Sequence, residues 1–260
     1  VYDFFAYQYI PDPKTIFKNV YKLEPGYSIT FDGTLLNKSQ YWDLSETLID
    51  SSSKTSKSSE NIRENITKLH DKLSAATKQR MISDVPLGAF LSGGVDSSAI
   101  VALMTENSEQ PIKTCSIGFE QKTFNETEFA NQVAEHFNCE HYEHIVDENM
   151  VANLEYVTSF FDEPFADPSL LPTYYVAKLA RQNVTVALAG DGGDEVFAGY
   201  EKYKIDAIEN SIRNKIPKII RASLFPVLTE LLKPFNNNFC RKGVSLLTNL
   251  SRSPELAFYH

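Results

Sequence analysis

The chain alternates short apolar runs with segments in which apolar residues recur every three or four positions. The short runs predict β-strands at 86–91, 112–119, 140–146 and 184–189. The spaced pattern predicts helices over 61–81, from about Asp96, and over 126–137, 147–161 and 170–182. Because strands and helices alternate, we predict an α/β fold: right-handed crossovers and a parallel sheet with helices on both faces.

The flanking segments have their own patterns. Residues 14–44 predict a strand, a Pro-Gly turn, a strand, an Asp-Gly turn and a third strand. Residues 45–60 are rich in serine and lysine and predict a flexible linker. Beyond Tyr200 the periodicity predicts a bundle of short helices, interrupted at Pro217, Pro226 and Pro234. The aromatic residues of the first ten positions favour packing over a nucleotide platform: Phe4, Phe5, Tyr7 and Tyr9.

Composition narrows the class of protein. The 260 residues are 42% hydrophobic and 23% charged, which is ordinary for a soluble protein. The net charge of -9 argues against nucleic acid or an anionic membrane as the main partner. The three cysteines are widely spaced, which indicates reduced thiols in a cytoplasmic protein. We find no membrane-spanning run and no signal peptide, and the start at Val1, in mid-pattern, suggests a longer parent protein.

Residues 91–98, LSGGVDSS, follow the first predicted strand of the sheet and open a helix. Gly93 and Gly94 allow the backbone to approach a ligand closely and to turn several N–H groups toward it. Three serines add hydroxyl donors: Ser92, Ser97 and Ser98. The positive end of the helix favours an anion at the same place, so the stretch predicts a phosphate site. The simpler alternative is a serine-glycine turn that only caps a helix.

Asp96 is the unusual residue of this loop, because a carboxylate beside a phosphate repels it unless a divalent cation lies between them. A second loop, residues 190–195 (GDGGDE), follows the last predicted strand and would lie at the same edge of the sheet. Carboxylates from two loops suit a Mg²⁺–pyrophosphate group. We therefore assign Asp96 and Asp194 to Mg²⁺, against the alternative that the acidic loop is a solvated turn.

Three other sequence features bear on the type of site and on its chemistry. No Gly-Lys-Ser/Thr follows the glycines and GxGxxG does not match, which favours pyrophosphate release over γ-phosphate or hydride transfer. The HxxCxHxxH spacing at 136–144 would spread over a helix end and a strand, where four side chains do not readily converge on zinc. Cys115 is interpreted as a buried thiol rather than a nucleophile.

Together these motifs resemble the synthetase half of the bacterial-type, glutamine-dependent asparagine synthetases. The matching segments are 91–98, 116–119 (SIGF), 124–137 (FNETEFANQVAEHF), 162–169 (DEPFADPS) and 188–200 (LAGDGGDEVFAGY), with YIPDPKTIFKNVYKLEPGY and YWDL upstream. The resemblance implies a PP-loop fold of the adenine nucleotide alpha hydrolase type. It also implies an interdomain segment over 1–44 and, after the linker at 45–60, an ATP-binding synthetase domain over 61–260 whose C-terminal part is incomplete.

The resemblance also implies a reaction and a set of roles. In this family ATP adenylates the side-chain carboxylate of aspartate with release of pyrophosphate, and ammonia attacks the aspartyl-AMP to give asparagine. The implied phosphate contacts are Ser92, Gly93, Gly94, Asp96, Ser97 and Ser98. The implied adenosine contacts are Leu91, Ile117 and Gly118. Gly190 and Asp191 would face the acyl-adenylate, Asp191 would steer or deprotonate ammonia, and Glu195 would support the loop.

Two differences from the family set further expectations. The family's glutaminase domain, which makes ammonia from glutamine, is not in this chain. We also find no counterpart, before His260, of the family's lysine that stabilises the adenylation transition state. We therefore expect the isolated chain to bind ATP weakly and to turn over poorly or not at all. A related amide ligase for another carboxylate, as in β-lactam synthetases, and a non-catalytic nucleotide-binding domain stay open as alternatives, as does a homodimer.

Overall fold

The computed structural model describes residues 2–46, 59–120, 126–235 and 237–258. The chain divides into two compact units, which we name the sheet unit, Val1–Gly190, and the helical unit, Asp191–His260. The predicted linker at 45–60 lies outside the described residues apart from its two ends. The predicted division into an interdomain segment and a synthetase domain stays a prediction.

The sheet unit opens with a short helix and a β-hairpin. Helix α1 (Tyr2–Tyr7) is followed by the antiparallel strands β1 (Tyr27–Phe31) and β2 (Leu36–Gln40). The predicted Asp-Gly turn closes the hairpin, and Asp32 Oδ1 accepts from the Leu35 N–H at 2.7 Å. The hairpin is therefore confirmed.

The strand predicted before the Pro-Gly turn is wrong. In this segment the Thr15 hydroxyl donates to the Val20 carbonyl at 2.8 Å, and the Lys22 N–H donates to the Pro13 carbonyl at 2.9 Å. Such local bonds compete with a strand ladder. The segment consequently folds back on itself instead of joining the hairpin.

The N-terminal aromatic residues pack on one another and not in the core. Helix α1 has no buried residue, and the side chain of Phe5 is 80% exposed. The rings contact one another instead, Phe4 with Phe5 and Tyr7 with Tyr9. A helix of six residues spans fewer than two turns and presents no continuous apolar face to a core.

Strands and helices then alternate along the rest of the sheet unit. The elements are α2 (Ser59–Arg80), β3 (Leu87–Phe90), α3 (Val95–Glu106), β4 (Lys113–Phe119), α4 (Thr127–His136), β5 (Glu140–Val146), α5 (Leu154–Thr158), α6 (Leu170–Ala180) and β6 (Val186–Leu188). A 3₁₀ helix, Glu148–Asn153, precedes α5, so the helix predicted at 147–161 is only partly α-helical. Strands β3 to β6 form one parallel sheet in the order β5-β4-β3-β6. The predicted parallel α/β fold is confirmed.

Helices pack on both faces of this sheet, because neighbouring residues of a strand point to opposite sides. On one face Ala89, 1% exposed, packs in a cluster with Val101 of α3 and Ala130 of α4. On the other face Phe90 packs against the cluster that contains Ala180 of α6. The sheet is thereby covered on both sides.

The strand order contains one reversal of direction. From β3 the chain moves outward through β4 to β5, and then returns to place β6 on the other side of β3. In open parallel sheets ligands bind beyond the carboxyl ends of the strands at such a switch point. The switch point here lies between β3 and β6, where the two glycine-containing loops begin.

The helical unit contains α7 (Gly193–Phe197), α8 (Glu201–Lys215), α9 (Lys218–Leu232), α10 (Asn238–Ser251) and α11 (Pro254–Phe258). Pro217 precedes α9 and Pro234 follows it, as expected of proline. Pro226, however, lies inside α9, so the predicted interruption there is wrong. Phe225 and Thr229, on either side of it, are both buried, and this packing maintains the helix despite one missing hydrogen bond.

Across the described ranges, no helix combines the length and the apolar character that crossing a bilayer demands.

Candidate active site

The glycine loop, residues 91–98, connects β3 to α3. Leu91 extends the sheet by one residue, since its N–H donates to the Cys115 carbonyl at 2.9 Å. Gly93 has a left-handed φ of +82°, and a Cβ added there would lie 2.6 Å from the Ala130 nitrogen. Only glycine therefore allows the loop to pass the first turns of α4.

Serine hydroxyls hold the shape of this loop. The hydroxyls of Ser92 and Ser97 are 2.9 Å apart, the Gly94 N–H donates to Ser92 Oγ at 3.3 Å, and Ser97 Oγ donates to the Gly94 carbonyl at 3.2 Å. Ser98 Oγ is buried and has no hydrogen-bond partner among the described residues. Two of the three predicted hydroxyl donors thus stabilise the loop, and the hydroxyl of the third, Ser98, is buried without a partner among the described residues.

The loop ends at the N-terminus of α3. Gly94 is the N-cap, and no described side chain caps the first turn. The first N–H groups of a helix lack partners within the helix, and together with the helix dipole they attract an anion. The glycine backbone, the free N–H groups and the unpaired Ser98 hydroxyl fit phosphate groups. Asp96, in the first turn, adds the carboxylate that a divalent cation would neutralise.

The loop after β6 lies directly against the glycine loop. A Cβ added to Gly190 would lie 2.6 Å from the Ser97 nitrogen and 2.8 Å from the Asp96 carbonyl carbon. Gly190 therefore has no room for a side chain, and the two loops meet at the switch point of the sheet.

A cleft of about 230 Å³ opens beside the glycine loop, at the carboxyl ends of β3 and β4. Its walls include three of the predicted ligand residues, Leu91, Ser92 and Ile117. Gly118 follows Ile117 on β4 and is buried. The smallest small-molecule pockets hold about 300 Å³, so this cleft has room for one part of a small-molecule ligand rather than the whole.

Sequence reasoning missed several polar residues of the cleft. Ser116, Thr127 and Thr173 all line it. Ser116 precedes Ile117 in the SIGF segment, so its position next to a predicted contact was a usable signal. Thr173 lies in α6, four residues beyond the 162–169 segment, and the packing of α6 over the sheet brings it to the cleft.

Residues 191–195 of the acidic loop belong to the helical unit and form a compact local structure with the residues that follow them. Gly192, with φ +87°, caps α7. The Gly199 N–H donates to the Asp194 carbonyl at 3.0 Å, and a Cβ on Gly199 would overlap Asp194 Oδ1. The Tyr200 hydroxyl donates to Glu195 Oε1 at 2.8 Å, and this bond raises the pKa of Tyr200 to about 12.

The predicted site residues thus fall into two groups. The sheet unit contains the predicted ATP contacts at 91–98, Ile117, Gly118 and Gly190, and it brings the glycine loop together with Gly190 and the cleft. The helical unit contains the other three: Asp191, Asp194 and Glu195. Glu195 is held by Tyr200, which the sequence did not single out.

The structure gives no support to a zinc site at 136–144 or to Cys115 as a nucleophile. His141 has both ring nitrogens within hydrogen-bond distance of hydroxyls, and no group of three or more His, Cys, Asp or Glu residues suited to a metal occurs in the described part of the chain. Cys115 is 1% exposed, and burial raises the pKa of its thiol to about 11. The interpretation of Cys115 as a buried thiol is confirmed.

A parallel sheet with helices on both faces, an SGG loop leading into a helix and a second glycine loop at the switch point define an α/β protein with a candidate anion-binding site at the carboxyl edge of its sheet. The family model described as asparagine synthase matches residues 68–258, and the chain belongs to this family. The resemblance drawn from the motifs is thereby confirmed.

Curated relatives agree with this assignment. A putative glutamine-hydrolysing asparagine synthetase 2 of Methanocaldococcus jannaschii is 40% identical over 238 residues, covering 88% of this chain and 43% of the relative. Asparagine synthetase 1 of Bacillus subtilis is 36% identical over 204 residues, covering 77% of this chain and 30% of the relative. The chain therefore spans less than half the length of these relatives.

Among solved structures, an NH3-dependent NAD synthetase from Campylobacter jejuni covers 74% of this chain and 95% of its own, at a TM-score of 0.37 and 13% identity. This similarity is too low to inform the site.

Proposed function

We propose that this chain is the ATP-binding part of a ligase that forms aspartyl-AMP and then asparagine. The observation that carries the proposal is the contact between Gly190 and the Asp96–Ser97 backbone, because it joins the two loops that the sequence predicts to bind ligand, at the switch point of a parallel sheet. Family membership and the names of the relatives support the choice of reaction. Residues 1–44 would join the synthetase domain to a glutaminase domain that supplies ammonia.

The adenylation step needs ATP held with its α-phosphorus near the aspartate carboxylate. A carboxylate oxygen attacks that phosphorus, the bond from the α-phosphorus to the bridging oxygen breaks, and pyrophosphate leaves with the electron pair. The free N–H groups of the glycine loop and the Ser98 hydroxyl would hold the phosphates, and the cleft beside Leu91 and Ile117 would hold the adenosine.

Magnesium, when bound by Asp96 and Asp194, would neutralise charge that develops on the departing pyrophosphate. Each carboxylate would supply oxygen ligands of the kind this ion prefers. Within the helical unit, the Asp194 side chain lies against Gly199, whose N–H donates to the Asp194 backbone carbonyl.

Amide formation follows. Ammonia attacks the acyl carbon, the bond to the phosphate oxygen breaks and AMP leaves. The nitrogen must lose a proton, and Asp191, exposed at the start of the acidic loop, would accept it. Tyr200, through its bond to Glu195, would keep the loop in shape.

Ligand binding tests the proposal without requiring turnover. Calorimetry on the 260-residue chain should detect Mg²⁺-ATP, AMP and a non-hydrolysable aspartyl-adenylate analogue, and the aspartyl analogue should bind more tightly than the glutamyl one. Asp96→Asn should weaken Mg²⁺-ATP by at least the roughly 10- to 100-fold that loss of even an outer-shell metal partner costs. Asp84→Asn, an exposed change in the turn before β3, is the matched control.

The outcomes separate the alternatives. A preference for another aminoacyl-adenylate analogue would favour a related amide ligase with a different carboxylate substrate. Binding of ATP without any response to the aspartyl analogue would favour a nucleotide-binding domain alone. Absence of all nucleotide binding would contradict the proposal.

A further inference from the structure

His141 of β5 links two hydroxyls of the neighbouring strand β4. Its Nδ1 lies 2.8 Å from Thr114 Oγ1 and its Nε2 lies 3.1 Å from Ser116 Oγ. Thr114 is directly opposite His141 in the register of the two strands. Thr114 is 0% exposed, so its hydroxyl has no access to water, whereas Ser116, although only 3% exposed, lines the cleft beside the glycine loop.

The geometry indicates which ring nitrogen carries the proton. Within the described part of the chain, the Thr114 hydroxyl has no hydrogen-bond partner other than His141 Nδ1. If Nδ1 carried the proton, this hydroxyl would only accept, and its own proton would be buried without an acceptor, which is costly. The Thr114 hydroxyl must therefore donate to a bare Nδ1. A neutral imidazole then carries its proton on Nε2 and donates it to Ser116 Oγ.

This arrangement leaves the hydroxyl proton of Ser116 available. Ser116 accepts from His141, and no other partner of Ser116 Oγ occurs among the described residues. Ser116 also lines the cleft beside the glycine loop, next to Ile117. A ligand atom in the cleft could accept this proton.

We propose that His141, as the neutral Nε2–H tautomer, is a positioning residue that orients the Ser116 hydroxyl to donate to an acceptor atom in the base or ribose of a bound nucleotide. The proposal rests on the proposed function for its ligand, but its statement about the tautomer does not. Neither His141 nor Ser116 is among the residues that the sequence motifs assigned to the site.

The surroundings of His141 agree with a neutral ring. Burial lowers the pKa of His141, because the charged form loses hydration, although the Glu143 carboxylate opposes this shift. Glu143 is itself bonded to Asn131 Nδ2 of α4, at 2.8 Å. His144, three residues further along β5, is exposed and provides a comparison within the same strand.

The tautomer is tested by NMR on the full chain with ¹⁵N-labelled histidine at pH 7. We expect the long-range ¹H–¹⁵N pattern of an Nε2–H tautomer for one histidine, lost in His141→Gln and kept in His144→Gln. An Nδ1–H pattern or a charged ring for His141 would overturn the inference. This measurement needs no ligand, so it is independent of the proposed function.

The positioning role is tested by calorimetry with AMP and with pyrophosphate. Ser116→Ala should weaken AMP roughly 3- to 10-fold, the effect of one hydrogen bond, and leave pyrophosphate unchanged. His141→Gln, whose amide N–H reaches close to the Nε2 position, should weaken AMP less than His141→Phe. Ser108→Ala, in the exposed loop after α3, is the control.

The two hypotheses fail in different ways. If the wild-type chain binds no AMP, the proposed function fails while the tautomer remains measurable. If the wild-type chain binds AMP and Ser116→Ala binds it equally well, the positioning role is refuted. Because Ser116→Ala removes a single oxygen, it also keeps the test meaningful if a His141 variant does not fold.

Discussion

The two compact units of this chain both bury apolar residues, but they differ in the charged groups that they bury. The sheet unit buries an apolar cluster, with Val101 and Met104 both 0% exposed. The helical unit buries an ion pair, in which Arg213 Nη2 and Glu209 Oε2 are 3.2 Å apart and the side chains are 3% and 4% exposed. Asn249 joins this pair, since its Nδ2 donates to Glu209 Oε1 at 3.1 Å and its carbonyl accepts from Arg213.

The difference shows how each unit specifies its own packing. Apolar contacts are non-directional, so the sheet unit depends on volume and on the backbone ladder for its geometry. A buried ion pair loses the hydration of both charges and recovers it through the attraction of the pair and through directional hydrogen bonds. Two buried atoms of the network, Arg213 Nε and Asn249 Oδ1, have no partner among the described residues. The Glu209–Arg213–Asn249 network therefore ties α8 to α10 in one register.

The largest effect is expected from separating the ion pair. Arg213→Met leaves the Glu209 carboxylate buried and unpaired, which should lower the free energy of unfolding by about 3–5 kcal/mol. The double variant Glu209→Met/Arg213→Met should recover most of this loss. Urea unfolding measures both, with Lys204→Met on the exposed side of α8 as the control. A double variant as unstable as the single one would contradict the comparison.

The reaction rates of one cysteine in each unit, Cys115 and Cys240, provide a second comparison of the two units. Burial raises the pKa of Cys115 in the sheet unit to about 11, whereas Cys240 of the helical unit is only partly buried. The raised pKa lowers the thiolate fraction of Cys115 on the order of 100-fold at pH 8, and the thiolate is the reactive form, so the native Cys115 should react with a disulfide reagent much more slowly than the more accessible Cys240. Cys115→Ser and Cys240→Ser assign the phases. The two cysteines should react at equal rates only in denaturant. Equal rates in the native protein would show that Cys115 is accessible to the reagent, which contradicts its burial.

The stability lost on replacing a glycine by alanine can be compared between the glycine loop and the acidic loop. Gly93→Ala in the sheet unit combines left-handed strain with a Cβ 2.6 Å from the α4 backbone, whereas Gly192→Ala in the helical unit meets no atom within 4 Å. The strain alone costs about 1–2 kcal/mol, so Gly192→Ala should lose that much and Gly93→Ala more.

Gly94→Ala is the control for this pair. Gly94 has φ -67°, and an added Cβ would meet only the Ser92 hydroxyl at 3.3 Å. We expect a change in the free energy of unfolding below about 0.5 kcal/mol. If Gly93→Ala and Gly94→Ala lose equal stability, the close approach of the loop to α4 is not what requires glycine.

The smallest effect concerns the acidic loop. The bond to Glu195 raises the pKa of Tyr200 to about 12, since the neutral phenol is the form that donates. Its contribution to stability is therefore complete below the ordinary tyrosine pKa of about 10 and is lost as the pH rises through 12. Glu195→Gln should lower the pKa of Tyr200, measured as the ultraviolet difference between Tyr200-containing and Tyr200→Phe proteins. An unchanged value would show that Glu195 does not hold the tyrosine.

Much of the fold follows from local sequence patterns. The predicted strand at 140–146 coincides with β5, and the predicted helix at 126–137 exceeds α4 by one residue at each end. These elements have strong periodicity or β-branched runs, and no tertiary contact favours a different secondary structure there. The strand predicted at 14–24 is wrong because hydrogen bonds within the loop outweigh the local strand propensity. The interruption predicted at Pro226 is wrong because tertiary packing outweighs the tendency of proline to end a helix.

In the candidate site, too, some features follow from local sequence and others depend on tertiary structure. Residues 91–98 are recognisable from the sequence because a left-handed glycine, successive backbone donors and a helix start are all local requirements. The contact between Gly190 and Asp96, and the bonds from His141 to Thr114 and Ser116, depend on strand order and register. These partners are 94, 27 and 25 positions apart in the chain.

The sequence by itself determined the alternation of strands and helices, the glycine loop and the family, since each is expressed in short, contiguous stretches of residues. Only the tertiary structure decided that β6 lies beside β3, that the loop after it leaves no room for a side chain at Gly190, and that Ser116 lines the cleft. Strand order, register and helix packing are set by burial of apolar surface summed over many distant residues. No single motif encodes that sum.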